Sequence, residues 1–237
     1  MTILAMWSGP RNISTAMMYA FGNRQDCTAW DEPFYGAYLA ATGLQHPMRD
    51  DILKACDNDA ARVAKACATP AARPLFYQKH MTHHMLPQFD RAFIRGLTNA
   101  FLIRAPEQVL ASYARKHDEV SLHAIGFVEQ AEIFDAVAQH LGHAPPVVDA
   151  EDILGNPRGV LAKLCAACGI AFDEAMLGWP AGPKPFDGVW APHWYNAVWQ
   201  SSGFATPSAD ATPLPAHLAA ISEAARPHYE KLRKHAI

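Results

Sequence analysis

Ile3-Leu4-Ala5-Met6-Trp7-Ser8-Gly9-Pro10-Arg11-Asn12-Ile13-Ser14-Thr15 is the stretch that decides the fold. Residues 3–7 form a short apolar run, Gly9-Pro10 breaks it, and a helical pattern follows over residues 14–21. The order is strand, loop, helix. A loop so placed is where backbone N–H groups and the helix dipole favour a phosphate or sulfate. Arg11 adds a fixed charge, and the Ser14 and Thr15 hydroxyls add donors. Taken alone, Ser14 reads equally well as a helix cap and Arg11 as a surface charge. The stretch is not a Walker loop, because no Gly-Lys precedes Ser14.

Working outward, further strands are expected at residues 28–31, 75–79, 100–103 and 146–149. Helix-favouring stretches lie at 50–68, 106–116, 125–141 and 157–168, and a terminal helix at 214–235. Strands alternating with helices predict an α/β fold, a three-layer sandwich around a central parallel sheet. Its strand carboxyl ends, and therefore its ligands, share one edge. One domain over residues 1–237 is expected, with the Pro-, Gly- and Trp-rich residues 178–213 folding back over that edge as a lid or binding segment.

The 237 residues are 50% hydrophobic and 18% charged, with a net charge of -3, which excludes intrinsic disorder and any global positive field for nucleic acid. Apolar runs break well before the roughly 20 residues that cross a bilayer. No basic stretch precedes an apolar signal core. A soluble, cytoplasmic protein with no membrane partner is expected. The 5 cysteines are too few and too scattered for a disulfide scaffold, and Cys165 and Cys168 read as small helix-packing residues.

Phe101-Leu102-Ile103-Arg104-Ala105-Pro106 ends the fourth strand on an arginine, and Ser112 lies in the helix that Pro106 starts. Residue by residue this resembles the 3′-phosphate signature of the sulfotransferase superfamily. There a strand-end Arg and a helical Ser hold the 3′-phosphate of 3′-phosphoadenosine 5′-phosphosulfate (PAPS). Gly9 to Thr15 resembles that family's 5′-phosphosulfate loop, G-x-(K/R)-S-G-(T/S)-(T/S), with Arg11 at the basic position, Asn12 in place of Ser and Ile13 in place of Gly. Ala150-Glu151-Asp152-Ile153-Leu154 resembles its Y-E-D-L segment. The blocks W-S-G-P-R-N-I-S-T, D-E-P-F-Y, Q-K-H-M-T-H-H-M and D-G-V-W-A-P-H-W-Y resemble a bacterial and plant branch known as sulfotransferase-like.

The resemblance implies the P-loop NTPase-like fold of sulfotransferases and a single-domain enzyme that moves a sulfuryl group from PAPS to a hydroxyl or amine of a small molecule. Gly9, Pro10, Arg11, Asn12, Ser14, Thr15, Arg104 and Ser112 would bind PAPS, and Lys184 would add a late contact to the 3′-phosphate. Sulfuryl transfer resembles phosphoryl transfer, so catalysis is positioning plus cationic stabilisation of the leaving oxygen. Arg11 and Lys79 are the cations on the ligand edge, Lys79 falling where the family often places a sulfuryl-contacting lysine. Glu32 and the His80/His83/His84 cluster compete as the base, with His83 carried over by proximity and Glu32 favoured by some bacterial members. No metal is expected. The sequence leaves the acceptor open, and the oligomeric state too, a homodimer included. Two alternatives stand beside this reading: a P-loop kinase using ATP or GTP, with residues 28–32 as a Walker B strand, and an inactive nucleotide binder of the same fold.

Overall fold

The computed structural model of the chain describes residues 1–115, 120–206 and 214–237. Five strands, β1 (Thr2–Ser8), β2 (Cys27–Asp31), β3 (Leu75–Met81), β4 (Thr98–Ile103) and β5 (Val147–Asp149), form one all-parallel sheet in the order β2-β3-β1-β4-β5. All five expected strands are present. The central position of β1 follows from its composition, since Leu4 to Trp7 are wholly buried and a strand covered on both faces must be apolar at every position.

Side-chain alternation divides the core in two. Leu4, Met6, Ala100 and Leu102 face one way, onto α1 (Ser14–Gly22) and, later in the chain, a helix at Pro157–Ala167. Ala5, Trp7, Phe101 and Ile103 face the other way, onto helices at Ala60–Cys67, Phe127–Leu141 and Ala216–Arg233. The result is the expected α/β three-layer sandwich.

Local differences from the sequence expectation have local causes. A helix α2 (Tyr35–Thr42) follows β2, where none was expected; its Tyr35, Tyr38 and Leu39 are buried in the α1-side core. The expected helix over residues 50–68 is two, α3 (Arg49–Ala55) and α4 (Ala60–Cys67), because the Asp59 carboxylate caps the second by accepting from the amides of Ala61 and Arg62 at 2.9 and 3.0 Å. The helix expected over 106–116 is α5 (Pro106–Tyr113), Lys116 lying outside the described residues. α6 (Phe127–Leu141) starts after Gly126, whose φ of 69° is left-handed. The acidic segment after β5 is helical, α7 (Ala150–Gly155), followed by α8 (Pro157–Ala167).

Residues 178–206 lie across the carboxyl edge and carry two short helices, α9 (Ala191–Trp194) and α10 (Asn196–Trp199); residues 207–213 of the expected lid lie outside the described residues. Trp179, Trp190 and Tyr195 are buried in the core, so these aromatics anchor the segment. α11 (Ala216–Arg233) closes the chain against α6. No described helix is long and apolar enough to cross a membrane.

The loop from β1 to α1 is bent sharply. Arg11 (φ 63°) and Ile13 (φ 54°) both occupy the left-handed region, where a β-branched residue is strained by about 1–2 kcal/mol. Ile13 is the position at which the sulfotransferase loop carries glycine, and the strain gives the physical reason for that preference. We expect Ile13→Gly to be more stable than Ile13→Ala by about 1 kcal/mol in urea unfolding. Alanine keeps the strain that glycine releases. The opposite ranking would show that the backbone is not held in this conformation.

Candidate functional site

Two loops far apart in sequence are stitched together at the carboxyl edge. The Arg104 guanidinium, leaving β4, donates to the Arg11 carbonyl at 3.0 Å and to Gln108 Oε1 at 2.9 Å. Arg11 Nε in turn donates to Ser112 Oγ at 2.9 Å. Asn12 is buried and donates toward the Leu102 carbonyl at 3.4 Å, which ties the loop to β4. Gly9 is needed for close approach, since a Cβ there would lie 2.3 Å from the Ile125 carbonyl oxygen.

Arg11, Ser14, Thr15, Arg104 and Ser112 line one cavity of about 370 Å³. No carboxylate is among its described lining residues. Neither arginine makes an ion pair among the described residues. Burial lowers the pKa of both, and for Arg11 the like charges of Arg115 and Arg104 act in the same direction. Glu151 and Asp149 pull the Arg104 pKa back up, but no described carboxylate pairs with either guanidinium, an arrangement that suits an anionic ligand.

A smaller chamber of about 130 Å³ adjoins it and shares Arg11, Ser14, Thr15, Trp194 and Tyr195. Pro10, Glu32, Lys79 and His83 line this chamber, so the structure brings these predicted residues together. The role expected of Lys79 does not fit its surroundings. Its ammonium sits 2.9 Å from Asp31 Oδ1, 2.5 Å from Glu32 Oε1 and 2.7 Å from the Tyr195 hydroxyl. An ammonium has three protons, and all three are engaged. Burial opposes the charge, yet Asp31 and Glu32 outweigh it and hold Lys79 above its ordinary range. With its protons engaged by Asp31, Glu32 and Tyr195, Lys79 has none left to donate to a sulfuryl oxygen.

Burial pushes the Glu32 carboxyl above the usual carboxylate range, against the pull of Lys79 and with the push of Asp31. His83 is held down to about 3 by burial, with His123, His46 and Lys79 adding to it. His80 lies outside the site. Its ring stacks on Trp7 at 4.3 Å and bonds Gln78 at 3.0 Å, so it is a core residue. Lys184 is also not brought to the site. Its ammonium donates to the carbonyls of Pro180 and Gly182 at 2.6 and 3.0 Å and lies over the Tyr19 ring, because the late segment turns it toward α1. Among the described residues no group of three His, Cys, Asp or Glu side chains is arranged to hold a metal ion.

Residues 1–236 match the sulfotransferase domain family. The chain belongs to that family. Two plant relatives from Arabidopsis thaliana, called branched-chain-amino-acid aminotransferase-like proteins 2 and 1, are 33% and 34% identical over 99% and 98% of this chain. The chain spans 42% of the length of each. Among solved structures, the sulfotransferase domain of the Synechococcus PCC 7002 olefin synthase has a TM-score of 0.65 at 19% identity, covering 97% of this chain and 94% of that one. The sulfotransferase domain of the curacin biosynthetic pathway has a TM-score of 0.56 at 16% identity, covering 94% and 96%. Both share the fold.

Sequence reasoning missed the functional placement of Tyr195. Its hydroxyl accepts from Lys79 and, at 3.2 Å, from Trp190 Nε1, and it donates to Asp31 Oδ2 at 2.7 Å. The W-A-P-H-W-Y block held the signal, but no spacing rule pairs a tyrosine with a lysine 116 residues earlier.

Lys79→Met leaves two buried carboxylates without their cation and is expected to cost about 3–5 kcal/mol in chemical denaturation. Tyr195→Phe, which keeps the ring, is expected to cost about 1–3 kcal/mol. Acid should weaken the fold. His80 and His83 are each held down to about 3, so the unfolded chain takes up their protons first and stability falls as pH drops from about 6.5 toward 3. Each contributes about 1 kcal/mol of loss between pH 7 and 5.5, with His84 adding in the same sense. Urea unfolding at both pH values checks this; equal stability at the two would contradict it.

Proposed function

We propose that this sulfotransferase takes its sulfuryl group from PAPS and delivers it to a hydroxyl or amine of a small molecule. One observation carries the reading: Arg11 and Arg104, from different strand tips, line a common cavity whose described lining includes no carboxylate. A donor with anionic groups at both its 3′ and 5′ positions needs two such cations at a fixed separation.

The residues present fit this donor. Arg11, Ser14, Thr15 and the amides at the start of α1 would hold the phosphosulfate end, and Arg104 with Ser112 the 3′-phosphate. Trp194 and Phe204, on the late segment, offer apolar faces to the base. Once bound, PAPS supplies the sulfuryl group, which moves in line between a phosphate oxygen and the acceptor. Arg11 stabilises the charge that grows on the leaving side. Glu32 receives the acceptor's proton. Of the two candidate bases it is the better matched, because its raised pKa brings it toward neutrality while burial makes protonated His83 unfavourable. Lys79 fixes the Glu32 carboxylate at the chamber wall.

Adenosine 3′,5′-bisphosphate at 100 times its Kd is expected to stabilise the protein by about 2.7 kcal/mol, a rise of about 5–10 °C in melting temperature. Arg104→Ala should abolish most of that rise, and ATP with Mg²⁺ should give far less. A larger shift with ATP would overturn the reading in favour of a kinase. With PAPS and a panel of hydroxyl and amine acceptors, a sulfated product should appear and fall by about 10²–10⁴ in kcat for Glu32→Gln. Bisphosphate binding without any product would instead support a nonenzymatic nucleotide binder.

A further inference from the structure

The chamber beside the donor cavity is small, and its polar groups are of an unusual kind. At about 130 Å³ it falls just short of the roughly 150 Å³ cavity that encloses one benzene molecule. The part of an acceptor that the chamber surrounds is therefore on the scale of a single six-membered ring.

Three imidazoles, His46, His83 and His84, line it. His46 bonds the Tyr35 hydroxyl at 2.9 Å. His83 and His84 are 8% and 2% exposed, and among the described residues the Nδ1 of each has no hydrogen-bond partner. A buried polar atom left without a partner costs about 1–3 kcal/mol, and folded proteins keep few of them. These two rings are fixed by packing. They meet each other at 4.4 Å, and His84 stacks on Tyr35 at 4.6 Å and on Tyr38 at 4.7 Å.

Charge narrows the ligand further. Arg11 also lines the chamber; with its charge taken up by the bound donor, Lys79 against Asp31 and ionised Glu32 leaves one net negative charge at the wall, which repels a carboxylate. The same charge would hold an amine as its ammonium, which lacks the lone pair that attack on sulfur requires. Both imidazoles are held neutral by burial, so each ring has one N–H and one lone pair. A hydroxyl is the group whose single oxygen can both donate and accept. His84 Nδ1 lies 4.0 Å from Glu32 Oε2, too far for a hydrogen bond but close enough that one ligand would meet both on adjacent atoms.

We propose that the chamber takes an uncharged acceptor with two neighbouring hydroxyls on a frame the size of a single six-membered ring, one hydroxyl reaching Glu32 and the other His83 and His84. This rests on the PAPS reading of the same site. The histidines are thus specificity-determining.

The test is binding to the full chain saturated with adenosine 3′,5′-bisphosphate, followed by ligand-observed NMR with cis-1,2-cyclohexanediol, cyclohexanol and cyclohexanecarboxylate. The diol is expected to bind at least tenfold tighter than cyclohexanol, and the carboxylate more weakly than either. His84→Phe, which keeps the stacked ring, and His83→Leu should each reduce the diol's advantage to less than threefold. Retained bisphosphate binding shows that these variants are folded. Equal affinity for diol and cyclohexanol, an advantage that survives in both variants, or a carboxylate that binds as tightly as the diol would each overturn the inference while leaving the donor assignment intact. Absence of bisphosphate binding by the unmodified chain would overturn both.

Discussion

The ammonium of Lys79 is the point on which the carboxyl edge depends. It is 2% exposed, and its three protons go to Asp31 at the end of β2, to Glu32 in the turn that follows, and to Tyr195 on the late segment. Gly188 adds a backbone amide to Asp31 at 3.1 Å, so the same cluster also fixes the chain ahead of α9. A buried ion pair of this kind adds little net stability over an apolar equivalent, because desolvation nearly cancels the attraction. Its value lies in geometry. Any other register of β2, β3 and the late segment would leave a buried charge unmatched.

Against that satisfied cluster, the neighbouring arginines stand out. Arg11 and Arg104 are held by neutral partners, a serine, a glutamine and a backbone carbonyl. The two ends of the cleft thus differ in kind. At one, the cation is paired with carboxylates of the protein; at the other, the described hydrogen-bond partners of the cations are all neutral. On the proposed reading this asymmetry would give the cleft its direction, with donor on the arginine side and acceptor on the carboxylate side.

Much of this was legible in the chain itself. The strands were readable because each is a short apolar run closed by a turn residue, and the placement of Arg11 and Arg104 at one edge followed from parallel topology alone. Other features depend on contacts that no local pattern encodes. α2 contains Gly36 and is only 8 residues long, so its propensity is weak, and tertiary burial of Tyr35, Tyr38 and Leu39 makes it. The break between α3 and α4 depends on one capping carboxylate within a stretch that otherwise favours helix. Lys79 lines the smaller chamber, as a residue of β3 at the carboxyl edge can, but its saturation by Tyr195 depends on a residue brought from the far end of the chain. Lys184 was misplaced for the converse reason, since nothing nearby in sequence shows which way a Pro- and Gly-rich segment turns.

Trp194 and Tyr195 belong to both cavities at once. A partition of this sort has no side that is private to one guest. Whatever shift of these two rings tightens the grip on one molecule alters the room left to the other. Thermodynamic reciprocity then requires the favour to be returned in equal measure. Molecules bound in the two cavities would therefore be coupled tenants of a single party wall, and the affinity for either would be a property of the pair.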